Sequence, residues 1–368
     1  MFRLGLALAV ASALVAFAAR AAPLEVYGRL PTVEAVALSP NGTTLAMIVT
    51  NGDERTIIIK DVVQGKILRM LRGGNLKLRA LDWAGDDHLI LTLTKTGDIE
   101  GVATPRREWA LVADFSLTTG KLRPMLSRVS GTLNVAVSAP KVRTIDGRPM
   151  VFIVGVQFVG SVGVQTLFRI DPATDINKTI SVGGHDTRAW EVALDGTPMA
   201  QTLYDDKTGR WTLKMRVGDA WRESRVIENA ENYPIVLGLG RYGHSLLVKE
   251  LEDGATMLRE VSPDGVWGEA LPIHDVGEPI FDPARHNFIG YYALVGDEGR
   301  YTFFDPQDQK IWNAVAKAFP GQIVRPLSSS SDHSKIVVLV DSPTEGRGYA
   351  LVDMAHARRR GLRANMST

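Results

Sequence analysis

The most motif-like string in the sequence is Gly238-Leu239-Gly240-Arg241-Tyr242-Gly243, which matches G-x-G-x-x-G. In a dinucleotide site that turn opens a helix, whose N-terminal amides then face the pyrophosphate. Here Ser245-Leu246-Leu247-Val248-Lys249 follows, and Asp253-Gly254 comes a few residues later. That pattern is a strand between two turns, so no cofactor is expected there. A serine hydrolase needs its nucleophile in a G-x-S-x-G turn between strand and helix, with histidine and acid partners. No such string occurs: Gly243-His244-Ser245-Leu246-Leu247 lacks the second glycine, and Gly160-Ser161-Val162-Gly163 has the wrong spacing. There is no phosphate loop of the G-x-x-x-x-G-K-[ST] type and no cysteine. The absent cysteines exclude disulfides, thiolate metal sites and a cysteine nucleophile.

The seven histidines, His88, His185, His244, His274, His286, His333 and His356, stand singly. None has the H-x-H or H-E-x-x-H spacing that sets two imidazoles on one ion. His185-Asp186, His274-Asp275 and Asp332-His333 place imidazole beside carboxylate, and their setting between strands reads as turn chemistry. Asn41-Gly42-Thr43 and Asn177-Lys178-Thr179 match the glycosylation acceptor, but a turn explains each asparagine already. One constellation keeps a chemical option open. Asp82, Glu191, Asp282 and Asp332 lie near the starts of repeated units, and paired carboxylates around a channel can perform glycoside hydrolysis. The residues taken one by one thus yield no catalytic, cofactor or metal site.

The elements that would hold any site are short strands. Val33-Glu34-Ala35-Val36-Ala37-Leu38 and Thr44-Leu45-Ala46-Met47-Ile48-Val49 flank Ser39-Pro40-Asn41-Gly42, a hairpin in which both central positions are expected at positive φ. Thr56–Val62 and Lys66–Met70 complete a four-strand unit. The unit recurs from Leu78, Gly131, Arg188, Pro234, Glu278 and Ile323, which makes seven. Repeated antiparallel units without intervening helices predict an all-β fold, a seven-bladed β-propeller over 33–363. A two-layer sandwich would stop well short of this length, and a parallel α/β sheet would need helices between strands. One short helix interrupts the pattern between blades six and seven. Asp305 caps it, Pro306 suits its first turn, Ile311, Trp312, Val315, Ala316 and Phe319 share a face, and Pro320-Gly321 ends it. Its apolar face is expected on the neighbouring blade.

Charge and termini bound the setting. Met1-Phe2-Arg3, the apolar run Leu4–Ala18 and Ala19-Arg20-Ala21 read as a cleaved signal peptide over 1–21. The run is too short for the roughly 20 residues that cross a bilayer, so an exported, periplasmic chain with no membrane attachment is expected. Without Arg3 and Arg20 the 42 basic residues fall to 40 against 41 acidic ones. That neutral balance argues against nucleic acid as a partner. The cluster Arg358-Arg359-Arg360 with Arg363 reads as a solvated end, and 364–368 as a tail.

Several strings together resemble a family. Leu24-Glu25-Val26-Tyr27-Gly28-Arg29-Leu30-Pro31 followed by Val36-Ala37-Leu38-Ser39-Pro40-Asn41-Gly42 is similar to the start of bacterial exported peptidases of the prolyl oligopeptidase family. Phe304-Asp305-Pro306, the Trp312 helix, Phe319-Pro320-Gly321, Ser328–Asp332 and Tyr349-Ala350-Leu351-Val352-Asp353 resemble one subgroup of it. The resemblance implies a propeller that restricts access to an α/β-hydrolase domain carrying serine, aspartate and histidine. Those three have no matching position through Thr368, so none is carried over. The expected role is therefore a non-catalytic propeller that binds a peptide, a protein or a separately encoded hydrolase domain. The alternatives are a self-standing periplasmic scaffold and a channel-sited glycosidase. In the resembling peptidases the segment before the first blade packs on the hydrolase. Leu24, Val26, Tyr27 and Leu30 in 22–32 are accordingly expected to mediate self-association or partner binding.

Overall fold

The computed structural model describes residues 32–362 except 53, 74–76, 99–105, 230, 253, 274–275, 297, 343–345 and 357. The signal sequence, Leu24, Val26, Tyr27, Leu30, the His274-Asp275 pair, Arg363 and the tail lie outside the described residues.

How the strands are buried is visible in the first sheet. It contains β1 (Val33–Leu38), β2 (Thr44–Asn51), β3 (Glu54–Asp61) and β4 (Ile67–Arg72), paired antiparallel in that order. Side chains alternate between the faces of a strand. Ala46, Ile48, Ile57 and Ile59 pack on one neighbouring sheet, whereas Leu45, Met47, Val49 and Ile58 pack on another. Both faces are therefore dry, and the alternation of a one-sided sheet is lost. The outermost strand, β4, is half exposed and carries Arg69 and Arg72.

Three later sheets repeat the plan. The fourth unit holds β14 (Thr187–Val192), β15 (Pro198–Asp205), β16 (Arg210–Val217) and β17 (Ala220–Ile227). The fifth holds β18 (Ile235–Leu239), β19 (Leu246–Glu252), β20 (Ala255–Val261) and β21 (Trp267–Ala270), and the last β25 (Ile323–Ser329), β26 (Lys335–Ser342), β27 (Gly346–Asp353) and β28 (Arg358–Leu362). Between the first and fourth units, two expected blades are hydrogen-bonded into one nine-stranded sheet. One end of it is β5 (Lys77–Ala84), β6 (His88–Gly97), β7 (Arg107–Ser116) and β8 (Leu122–Pro124). The other is β10 (Lys141–Ile145), β11 (Arg148–Val159), β12 (Val162–Asp171) and β13 (Ile176–Val182), with β9 (Thr132–Ala136) pairing both β7 and β11. The described residues thus form six sheets, not seven separate ones.

The sheets pack face to face in a ring, a β-propeller. The ring closes by side chains between its two ends. Leu38 N donates to Ser328 Oγ at 3.0 Å and Tyr349 Oη to the Glu34 carbonyl at 2.8 Å, with Val337 and Leu351 buried against β1 and β2.

The sheet of β22 (Val276–Phe281), β23 (Phe288–Val295) and β24 (Glu298–Phe303) has three strands. Helix α1 (Pro306–Lys317) lies against its outer edge. The Asp305 carboxylate caps α1 by accepting from Gln307 N at 2.7 Å, as the sequence predicts. Gln309 then completes the sheet edge: its Oε1 accepts from Phe303 N at 2.8 Å and its Nε2 donates to the Tyr301 carbonyl at 3.4 Å. A single carboxamide therefore answers two edge groups that a fourth strand would pair. Trp312, Val315 and Phe319 are buried as expected, but Ala316 is exposed, and the half-buried Ala318 takes its place on the packed face.

Three local expectations need correcting. In the first hairpin only Gly42 has positive φ, at 68°. Asn41 serves through its side chain instead: Oδ1 accepts from Thr43 N at 2.9 Å and from the hydroxyls of Ser39 and Thr43 at 2.8 Å. Asn177 sits on outer strand β13 rather than in a turn; Asp175, at φ 61°, turns the chain there. Arg358-Arg359-Arg360 form the exposed outer strand β28 and are not a free end. Arg359 lies 5.3 Å from the Phe319 ring centroid and donates to the Ala318 carbonyl, tying that edge to the end of α1.

Candidate functional site

A cavity of about 590 Å3 runs into the centre of the ring. The innermost strand of every sheet lines it, and the nine-stranded sheet contributes two such strands, β5 and β10. Its wall is apolar at Ala37, Leu38, Leu81, Trp83, Leu237 and Phe281. Trp83 is anchored by its indole N–H, which donates to the Ala37 carbonyl at 3.1 Å and so locks β5 to β1.

Two of the four carboxylates singled out from the sequence reach this cavity. Asp82 opens onto it, with no hydrogen-bond or ion-pair partner among the described residues. Its carboxyl meets solvent, but protein walls surround it, and the desolvation pushes its pKa up. Glu191 is buried and already engaged. Lys141 and Arg143, on the same face of β10 by the two-residue period, both turn toward β14 and clasp it. Arg143 Nη2 lies 3.1 Å from Glu191 Oε1, and the Val192 N–H donates to that oxygen at 3.2 Å. Arg143 spends its other donors on the carbonyls of Val192 and Val142. Glycoside hydrolysis uses two carboxylates flanking one bond; of the four, only Asp82 and Glu191 line the cavity, and Glu191 is already held by Lys141 and Arg143.

The other two carboxylates stay outside the cavity. Asp332 accepts from Ser330 Oγ and Ser334 N within its own turn. Asp282 is buried beneath the β22–β23 turn and accepts from Ala284 N, Arg285 N, Arg285 Nε and His333 Nε2. Asp332 and His333, adjacent in the sequence and read as turn chemistry, do not pair with each other. His333 lies between Asp282, at 3.2 Å, and Asp308 of α1, at 3.4 Å, so it links two turns and the helix.

His333 and His286 share an unusual backbone. In the turn after the innermost strand, the propeller sets glycine at positive φ at Gly42, Gly85, Gly196 and Gly243. The corresponding turns of the last two sheets carry His286 at φ 56° and His333 at φ 55° instead. A side chain there costs of order 1 kcal/mol, so other contacts must hold these turns. For His333 the contacts are plain. Its hydrogen bond to Asp282 raises the imidazole pKa against the opposing effect of burial, and the charges of Asp282 and Asp308 add to the rise. Burial pushes the Asp282 carboxyl up, but the bonds from His333, Arg285 and Ala284 outweigh it and hold it well below the usual carboxylate range. His286 differs: it lines the cavity near Arg143, and burial together with that charge lowers its pKa to about 4, against the pull of Asp282. It is a neutral imidazole at pH 7.

A pH prediction follows from the His333 link. A histidine with a raised folded pKa contributes its stabilisation in full below its unfolded value of about 6.5, and loses it as pH rises through the folded value. His333→Gly keeps the turn geometry without a Cβ. The variant is expected to lose about 1–3 kcal/mol at pH 6, with the deficit shrinking by pH 9. Urea unfolding at both pH values measures this; an equal deficit at both means the charge on His333 is not involved.

Arg143 was not among the residues weighed for chemistry; Arg241 was named only inside the Gly238–Gly243 string and His286 only among the single histidines. The signal for Arg143 in the sequence was a charged residue beside Val142 in the short stretch Val142-Arg143-Thr144-Ile145.

No protein-family model and no curated protein matches this sequence. Solved structures do. A prolyl endopeptidase is similar at 12% identity, over 90% of this chain and 42% of that one, with a TM-score of 0.40. The β-propeller domain of the trilobed protease from Pyrococcus furiosus is similar at 11% identity, over 91% of this chain and 98% of that one, with a TM-score of 0.49. The acylaminoacyl peptidase of Pyrococcus horikoshii is similar at 11% identity, over 92% and 53%, with a TM-score of 0.49. This chain spans less than half the length of the prolyl endopeptidase.

Proposed function

We propose that this chain is a binding propeller whose central cavity takes a short peptide segment of a ligand or substrate. The observation that supports the reading most is the cavity itself. At about 590 Å3 it falls within the range of roughly 300–1,000 Å3 typical of ligand sites, and its apolar wall residues stand beside polar ones such as Asp82, Lys141 and Thr144. Inner strands also present backbone groups and alternate side chains, which suit an extended chain. Taking the nine-stranded sheet as two fused blades, the ring has seven blades around that cavity. The sequence strings resembling exported prolyl-oligopeptidase peptidases favour a role in admitting peptides to a hydrolase domain. The leader pattern of Met1–Ala21 favours an exported, periplasmic setting. Among the described residues no helix is long and apolar enough to cross a membrane.

Calorimetric titration with a blocked neutral peptide, N-acetyl-tetraalanine amide, tests the reading. Saturable binding is expected, and Ser329→Trp, which fills the wall of the cavity, is expected to weaken it at least tenfold. No turnover of peptides or esters and no labelling by a serine-directed phosphonate is expected, because the sequence has no nucleophile elbow. Absence of binding, or binding unchanged in Ser329→Trp, overturns the cavity as the site.

A further inference from the structure

Beside the central cavity, and sharing Arg143 and His286 with it, lies a second concavity of about 440 Å3. It is walled by turns of neighbouring sheets: Leu194 from β14–β15, Arg241 and Tyr242 from β18–β19, and Ala284 to Asn287 from β22–β23. Every charged residue of its lining is an arginine, and no carboxylate lines it. Arg143 is already engaged by Glu191 and two backbone carbonyls, whereas the acids beside Arg241 and Arg285 occupy only part of each guanidinium. Glu260 takes Arg241 Nε at 3.0 Å, and no acceptor among the described residues takes its two terminal nitrogens. Buried Asp282 takes Arg285 Nε and Nη2, both at 3.1 Å, and Asp308 lies 3.9 Å from Nη2; Nη1 is left, with the Arg285 side chain still 62% exposed.

The wall is also held in place before any ligand arrives. Asn287 Nδ2 donates to the Arg241 carbonyl at 2.6 Å, and Leu239 bridges Asn287 through the backbone. The Arg241 backbone N–H donates to Glu260 at 2.7 Å, and Asp282 fixes the following turn through two backbone N–H groups. Guanidinium donors on a fixed frame match the two oxygens of a carboxylate, and a preorganised frame lowers the cost of ordering on binding.

We propose that this arginine-lined basin receives a carboxylate of the peptide whose other residues enter the central cavity. The proposal rests on the cavity being a peptide site, and it specifies the ligand further: an anionic peptide, not a neutral or cationic one. The carboxylate has two sources, the C-terminus or an acidic side chain, and the probes separate them.

Three acetylated tetrapeptides serve: the neutral tetraalanine amide, tetraalanine with a free C-terminus, and the amide of Ala-Ala-Asp-Ala. At low salt, at least one carboxylate peptide is expected to bind tenfold or more tighter than the neutral amide, and the gain is expected to shrink as salt is added. Arg241→Gln is expected to abolish the gain while leaving the affinity for the neutral amide unchanged. Leu194→Asp is an independent check, since Leu194 is 40% exposed and the change removes no arginine pairing. The new carboxylate is expected to occupy the basin and abolish the gain as well. Equal affinities for all three peptides, or a gain that survives both substitutions, overturns the proposal. If the neutral amide binds and the carboxylates add nothing, the basin fails and the cavity reading stands. If none of the three binds, both fail.

Discussion

Glu191→Ala is expected to cost about 3–5 kcal/mol of unfolding free energy, read from urea denaturation at neutral pH. Glu191 is 3% exposed and is clasped by Arg143, whose side chain is only 6% exposed. Deleting the carboxylate leaves a nearly buried guanidinium without its counter-charge. Lys141 is in a different position: its side chain keeps 32% exposure and can swing into the water of the cavity. Glu191→Gln is expected to recover part of the loss, since an amide oxygen still accepts from Arg143 and from Val192 N. The double variant Arg143→Met with Glu191→Leu is expected to recover most of it, because apolar residues of similar volume often replace a buried ion pair without penalty. A single-variant loss below about 1 kcal/mol would mean that cavity water already solvates Arg143, and the pair would have no structural role.

Trp312→Ala is expected to release α1 as a unit. Trp312 is 6% exposed and packs against Tyr301 and Phe303, with ring centroids 4.8 and 6.0 Å away. Removing a buried indole costs about 3–5 kcal/mol. An isolated helix of 12 residues is marginal in water, so the loss falls first on the helix. Amide hydrogen exchange over 306–317 is expected to approach unprotected rates, and Phe303 N–H, which depends on Gln309, is expected to follow. The amides of β2 and β3 are expected to keep their protection. Retained protection over 306–317 would show that the Asp305 cap and the Gln309 bonds hold the helix without the indole.

These two sites mark the boundary between what is legible in a sequence of this kind and what is not. The Trp312 helix was legible because its determinants are local: a capping aspartate, a proline in the first turn, and apolar residues at helical spacing. The strand units were legible for the same reason. Each is a hairpin series with its own turn chemistry; burial on both faces, as in Thr44–Val49, came only with the packing of neighbouring sheets. Even the misreading of Asn41 left the hairpin in place, since Gly42 supplies the one positive φ that the turn requires.

The Arg143–Glu191–Lys141 group was not legible, because it joins residues about 50 positions apart through the packing of inner strands β10 and β14. The same holds for His333, whose sequence neighbour Asp332 points elsewhere while Asp282 and Asp308 arrive from another sheet and the helix. By itself the sequence determined the all-β repeat, the position of the helix and the lack of a nucleophile elbow. Tertiary structure alone decided which polar residues of the inner strands meet, that Asp82 stays unpaired while Glu191 does not, and that β9 fuses two units into one sheet. The physical reason is that strand and turn formation draw on neighbours along the chain, whereas a propeller centre is assembled from one short strand per unit. Its chemistry depends on register and on closure of the ring, and neither is written in any single segment.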